Sequence, residues 1–188
     1  MFPKCPKPTF KRGTNLKQLL CKAKLPKPRP VNTRAALREN WRGVRRCNNG
    51  RGRRQCGACP YLTKQPNQVV KEIKIHSSGE TIKIEDRIDC RTRSFLYVLE
   101  SDKDPHQYTG QSGGIVAKRT LQHVNDIDNV RVEKAVPKHF QDTGSTSENL
   151  VMTPFKVIRS ANPWVRLHYE REFINSHGFI EGGINRNL

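Results

Sequence analysis

Residues 95–110 read FLYVLESDKDPHQYTG, and their pattern decides the fold. Phe95-Leu96-Tyr97-Val98-Leu99 is an unbroken apolar and aromatic run of strand length, which predicts a strand buried on both faces. Residues 102–106, with Asp104-Pro105 inside them, predict a polar loop, and residues 107–110 begin the partner strand. The hairpin so formed presents Tyr97 and Tyr108 on paired strands.

Toward the C-terminus, Gly113-Gly114 predicts a break and residues 115–127 a helix, on which Arg119 and His123, four apart, share a face beside Ile115, Val116 and Ile127. A permanently charged side chain at the edge of an apolar stripe either snorkels, its head in water, or turns into a site. A short helix is expected over 132–140, and residues 150–158 predict a third strand, broken by Pro154 and suited to an edge. Asn162-Pro163 is an N-cap and first-turn pair for a helix reaching about His177, with Gly178 as its stop. On its wheel Trp164, Leu167 and Ile174 mark an apolar arc. Glu170 falls between Ile174 and Phe173, inside that arc, and Glu172 faces outward; Arg171 also intrudes. A carboxylate among apolar neighbours is costly unless a cation or hydrogen-bond donors satisfy it. Glu170 is therefore the candidate metal ligand, with an ion pair to Arg166 as the alternative.

Upstream, Val69, Ile73 and Ile75 alternate, as do Ile82 and Ile84, with Ser77-Ser78-Gly79 between them, which predicts another hairpin. The class is α+β: a small three-stranded antiparallel sheet flanked by helices, preceded by a basic, Cys-containing linker and a hairpin. Three regions are expected: 1–46 basic and extended, 47–92 Cys-rich with the hairpin, and 93–188 carrying the sheet.

Charge separates these regions. The first 59 residues hold 17 Lys or Arg against the single acid Glu39, whereas the other 129 hold 18 basic and 16 acidic residues. Such a block stays solvated and seeks a polyanion, DNA first and RNA as an alternative, with affinity that falls steeply as salt rises. Anionic membrane ranks lower, because Pro and Gly interrupt the basic residues and no amphipathic helix with a large apolar face lies among them. Residues 1–12 and 24–32 read as extended linker, 15–20 as a short helix and 33–42 as a basic helix. No run of 18 apolar residues exists and the first eleven residues have charges and prolines instead of an apolar leader, so an intracellular, nuclear location is expected.

In a reducing compartment the six cysteines read as thiols or metal ligands. Cys56-Gly57-Ala58-Cys59 is a C-x-x-C knuckle, and Cys47 with Cys90 brings the count to four thiolates, which suits structural zinc; His76 is a substitute fourth ligand. A redox pair and unligated thiols are the alternatives. Zinc is favoured because the Gly- and Arg-rich stretch around the knuckle has little else to fold around. Cys5 and Cys21 are expected to be free.

Tyr97, Tyr108-Thr109-Gly110, Arg119, His123, Glu170 and Asn185 supply hydroxyls to position a nucleophile, a fixed cation for developing phosphate charge and a carboxylate for a divalent metal. Phe95-Leu96-Tyr97, Tyr108-Thr109-Gly110, Arg119 with His123, Glu170-Arg171-Glu172-Phe173-Ile174 and Asn185 resemble the ordered motifs of GIY-YIG endonucleases. The resemblance implies a metal-dependent DNA endonuclease in which Glu170 binds Mg²⁺ or Mn²⁺ and Arg119 stabilises the phosphate. Tyr97 and then Tyr108 would orient or deprotonate water, while His123 and Asn185 support the site. A closer resemblance is to the C-terminal endonuclease region of Penelope-like retroelements. It is carried also by residues 15–25, the Cys-rich stretch 43–62, Pro137-Lys138-His139-Phe140 and Gly183-Ile184-Asn185. It implies nicking of target DNA to prime a reverse transcriptase, a partner domain this chain would lack. The family commonly places two cysteines and two histidines as a zinc site, but here the positions hold Ser101, Asp104, His139 and Ser145, and loss of that site is expected. The rival function is a non-catalytic, basic zinc-knuckle module that binds nucleic acid with a decayed nuclease site.

Overall fold

A computed structural model describes residues 41–47, 56–65 and 68–185. The expected linkers and the 15–20 helix lie outside them, as does the 33–42 helix save Trp41 and Arg42, which are not helical. In chain order the described elements are β1 (Gly43–Val44), β2 (Glu72–Lys74), β3 (Thr81–Lys83), β4 (Arg87–Ile88), β5 (Arg93–Ser101), β6 (Asp104–Ile115), α1 (Val116–Asp128), α2 (Ala135–Asp142), β7 (Leu150–Val157) and α3 (Pro163–Ser176).

The class is α+β, and its centre is a three-stranded antiparallel sheet in the order β6-β5-β7. β5 is the middle strand, covered on both faces, which is why Phe95, Leu96, Tyr97, Val98 and Leu99 are all buried. The β2–β3 hairpin forms as expected, with Ile73 opposite Ile82. β1 runs parallel to β4 and its Val44 enters the same apolar core as Ile88, Phe95 and Met152.

The second and third strands of the sheet differ from the sequence expectation. β6 begins at Asp104, so residues 104–106 are strand, not loop, and it continues through Gly113-Gly114 to Ile115. At both places the pairing with β5 is irregular: Pro105 and His106, and Gly113 and Gly114, have no partner residue, so bulges carry these turn-type residues without ending the strand. At Gly113 a Cβ would lie 2.8 Å from the Arg166 guanidinium, so this glycine makes room for a side chain without ending the strand. β7 occupies an edge as expected, yet Pro154 does not break it. Pro154 stands opposite Tyr97 at a register shift, where the irregularity absorbs the missing N–H. Farther along the same strand, the Val157 N–H donates to Asp86 Oδ2 at 2.8 Å.

α3 starts where the sequence places it: Asn162 accepts the Trp164 N–H at 2.9 Å, and Gly178, at φ +66°, follows its end. Ile174 is buried and Phe173 stacks on Phe155 at 4.5 Å between ring centroids, fixing the helix against β7. Trp164, placed in the apolar arc by the wheel, is instead 72% exposed, in the first turn of the helix. α2 begins at Ala135, three residues later than expected. No helix among the described residues is long and apolar enough to cross a membrane.

Candidate functional site

The Tyr97 hydroxyl joins β5 to α1. It accepts a hydrogen bond from Arg119 Nε at 2.9 Å and stands 2.9 Å from His123 Nε2. Arginine only donates, and a neutral His123 with its proton on Nδ1 accepts the phenol proton at Nε2. Burial, the Arg119 charge and the Lys134 charge favour that state and press the imidazole pKa down to about 3. Arg119 therefore does not snorkel: its guanidinium reaches into the fold and also lies 5.7 Å from the centroid of the Tyr97 ring. Burial opposes its charge, but the Tyr97 phenol, with Tyr108 and Asp126, holds its pKa above the ordinary value.

Tyr97 has no exposed surface, and burial raises its phenol pKa far above the usual range despite Arg119. This reverses the order of the two phenols: Tyr97 cannot meet water directly, whereas Tyr108 is only partly buried. The Tyr108 phenol is raised as well, by burial and then by the Glu170 charge. Both hydroxyls stay protonated at neutral pH.

Gly110 permits this packing. A Cβ there would lie 2.7 Å from the Tyr97 hydroxyl and 2.9 Å from Tyr108 Cε1. Beside it, Asn185 closes the outer edge of β6: its Oδ1 accepts the Thr109 N–H and its Nδ2 donates to the Thr109 carbonyl, both at 2.9 Å. A carboxamide matches a free backbone edge in both donor and acceptor, and so fixes the strand that carries Tyr108.

Glu170 is half-buried on α3. Burial raises its carboxyl above the usual range, against a hydrogen bond from the Gln111 backbone and the charges of Arg119 and Arg171. The alternative ion pair does not form, because Arg166 turns to Gln111 Oε1 at 3.2 Å and Ser94 Oγ at 3.4 Å. Glu170 is thus a desolvated carboxylate within electrostatic reach of Arg119 and Tyr108, and its chemistry suits a hard divalent ion.

The four expected cysteines also converge. Cys47 Sγ lies 3.6 Å from Cys56 Sγ and 3.5 Å from Cys59 Sγ, Cys56 lies 3.5 Å from Cys59, and Cys59 lies 3.4 Å from Cys90. All are free thiols, and the four sulfurs are within 4.8 Å of one another. Sulfurs held tetrahedrally at about 2.3 Å from zinc stand about 3.8 Å apart, so the cluster fits the ion with small adjustments. Burial and the neighbouring Cys56 and Cys59 thiols push the Cys90 thiol well above its usual range, a penalty that a bound cation reverses. His76 is not a ligand: its ring faces Glu100 at 3.8 Å. The cluster reaches the phenol site through the backbone, since the Ala117 N–H donates to the Cys90 carbonyl and the Val116 N–H to that of Thr92, both at 2.9 Å. These bonds satisfy two N-terminal donors of the helix that carries Arg119 and His123.

Asp104, His106 and His139 also meet. The resemblance places Asp104 and His139 at two positions of a zinc site expected to be lost; His106, read as loop, is the member that sequence reasoning missed, and only alternation along β6, which puts residues 104 and 106 on one face, signals it. No protein-family model, curated protein or solved structure matches the chain.

Proposed function

We propose that the chain is a metal-dependent endonuclease that nicks DNA, as its motif order suggests. The observation that carries this reading is the coupling of one fixed cation, two protonated phenols and one desolvated carboxylate. Arg119 is bound to Tyr97, and its charge and that of Glu170 both act on Tyr108. The chemistry is in-line hydrolysis: water oxygen attacks phosphorus as the opposite P–O bond breaks, the water proton passes to solvent, and the leaving oxygen takes up a proton from solvent. Arg119 stabilises the charge that develops on the phosphate, with no dependence on pH in the working range. Tyr108 orients water by hydrogen bonding. Tyr97 holds Arg119 and His123 in place and touches no substrate. Glu170 would hold Mg²⁺ or Mn²⁺, which supplies Lewis-acid stabilisation of phosphate oxygens. With one protein carboxylate, affinity for the ion alone is weak.

The basic N-terminal third supplies backbone affinity with little sequence choice, and the cysteine cluster, loaded with zinc, steadies α1. Nicking of this kind would serve a reverse transcriptase in target priming if such a domain is joined to this one. The test is nicking of supercoiled plasmid with Mg²⁺ or Mn²⁺. Wild type nicks, while Arg119→Ala and Glu170→Ala retain DNA binding and do not. A wild-type protein that binds and never nicks supports the non-catalytic nucleic-acid-binding module instead.

A further inference from the structure

We propose that Arg166 holds a second phosphate of the DNA strand that meets Arg119 and Glu170, one or two nucleotides from the first. The proposal rests on the reading that DNA lies across this site. Arg166 is half-buried on α3, one helical turn before Glu170. Its Nε donates to Gln111 Oε1 at 3.2 Å and its Nη1 to Ser94 Oγ at 3.4 Å, both long bonds to neutral acceptors. A guanidinium has five N–H donors, so three are left without a partner among the described residues. No carboxylate among those residues pairs with it, whereas Arg42, Arg131 and Arg159 pair with Glu85, Asp126 and Asp86. A half-buried cation with only neutral partners is costly, and an anion with several acceptor oxygens relieves the cost.

The place of the guanidinium fits a strand running along β6. A Cβ on Gly113 would stand 2.8 Å from Arg166 Nη2, so the guanidinium lies directly over that residue. Gly113 is exposed, which leaves the cation open to a ligand from solvent. Gln111, two residues back, ties the two groups together: its side chain accepts from Arg166, and its backbone N–H bonds the Glu170 carboxylate. Two strand residues span about 6.7 Å and four helical residues about 6 Å, roughly twice the ~3.4 Å axial rise per nucleotide of one DNA strand. Phosphates one or two nucleotides apart therefore reach Arg166 and Glu170 together. Arg166 adds binding and register and takes no part in the bond-breaking step.

The test measures binding of the full chain to a labelled DNA duplex as salt is varied, without divalent metal, so that no cleavage is needed. Loss of one phosphate contact lowers the log–log salt slope by about 0.9. We expect that drop in Arg166→Gln, with about tenfold weaker binding, and the wild-type slope in Arg166→Lys, which keeps the charge. Gly113→Ala pushes only the mobile tip of Arg166 aside, so the chain stays folded. It weakens binding about threefold or more in the wild-type background and not in Arg166→Gln. An unchanged slope in Arg166→Gln, an equal drop in Arg166→Lys, or a Gly113→Ala effect that persists without Arg166 overturns the proposal. If Arg166→Gln does not fold, undiminished binding by Gly113→Ala overturns it. A wild type that shows these effects and never nicks plasmid with Mg²⁺ or Mn²⁺ supports the phosphate contact and sinks the nuclease reading alone.

Discussion

Replacing Gly110 with alanine tests the packing around the Tyr97 hydroxyl with one added methyl group. Gly110 does not have a positive φ, so the backbone tolerates alanine and the effect comes from contact alone. The new Cβ falls 2.7 Å from the phenol oxygen, 2.8 Å from Cζ and 2.9 Å from Tyr108 Cε1. Carbon contacts settle near 3.5 Å, so the phenol has to retreat by roughly 0.7 Å. Tyr97 has no exposed surface into which to retreat. The same movement takes the hydroxyl, now 2.9 Å from both Arg119 Nε and His123 Nε2, out of hydrogen-bond range. Overpacking costs about 1–3 kcal/mol and each of the two hydrogen bonds about 1 kcal/mol, so a loss of roughly 3–5 kcal/mol in stability is expected from urea unfolding. A displacement of this size at Arg119 lowers the nicking rate by about 100-fold under conditions where the variant is folded. An unchanged unfolding midpoint refutes the packing. Lost stability with full nicking refutes the claim that Tyr97 positions the catalytic cation.

Acid stability reports the charge state of His123. Its folded pKa of about 3 lies below the usual 6.5, so between these values the unfolded chain binds the extra proton and stability falls as pH is lowered, by up to about 1.4 kcal/mol per pH unit. His123→Gln removes that component, and equal slopes of stability against pH in variant and wild type contradict a neutral, buried imidazole. Because burial raises the Glu170 carboxyl above 4.5, its ionised form costs stability at neutral pH. Glu170→Gln is therefore expected to unfold at higher urea than wild type in metal-free buffer, and a lower midpoint counts against the desolvated carboxylate. Deleting residues 1–40 flattens the dependence of DNA affinity on salt, and an unaltered slope on a log–log plot shows that the basic arm is a bystander.

The central strand and the last helix were legible for simple reasons. β5 is covered on both faces, so its run of five apolar and aromatic residues needs no context, and α3 has its cap in Asn162-Pro163. The four thiols were legible from ligand count, although Cys90 lies 31 residues from Cys59. What escaped depends on tertiary pairing. Asp104, Pro105, His106 and Gly113-Gly114 have turn composition, yet β6 runs through all of them by way of irregularities in its pairing with β5. Periodicity could identify the two tyrosines but not show that one is sealed and the other partly open, since that follows from Arg119 and His123 closing over Tyr97. His139 meets Asp104 through the placement of α2; the resemblance pairs their positions, but no local pattern records that they stay together or that His106 joins them.

The most direct measurement is the single-turnover rate of plasmid nicking as a function of Mg²⁺ concentration, in wild type and Glu170→Ala. Wild type is expected to show a rate that rises with Mg²⁺ to a plateau, and the variant no cleavage at any concentration while still retaining DNA. Cleavage by the variant with the wild-type plateau and half-saturation would contradict the assignment of this cluster as the active site.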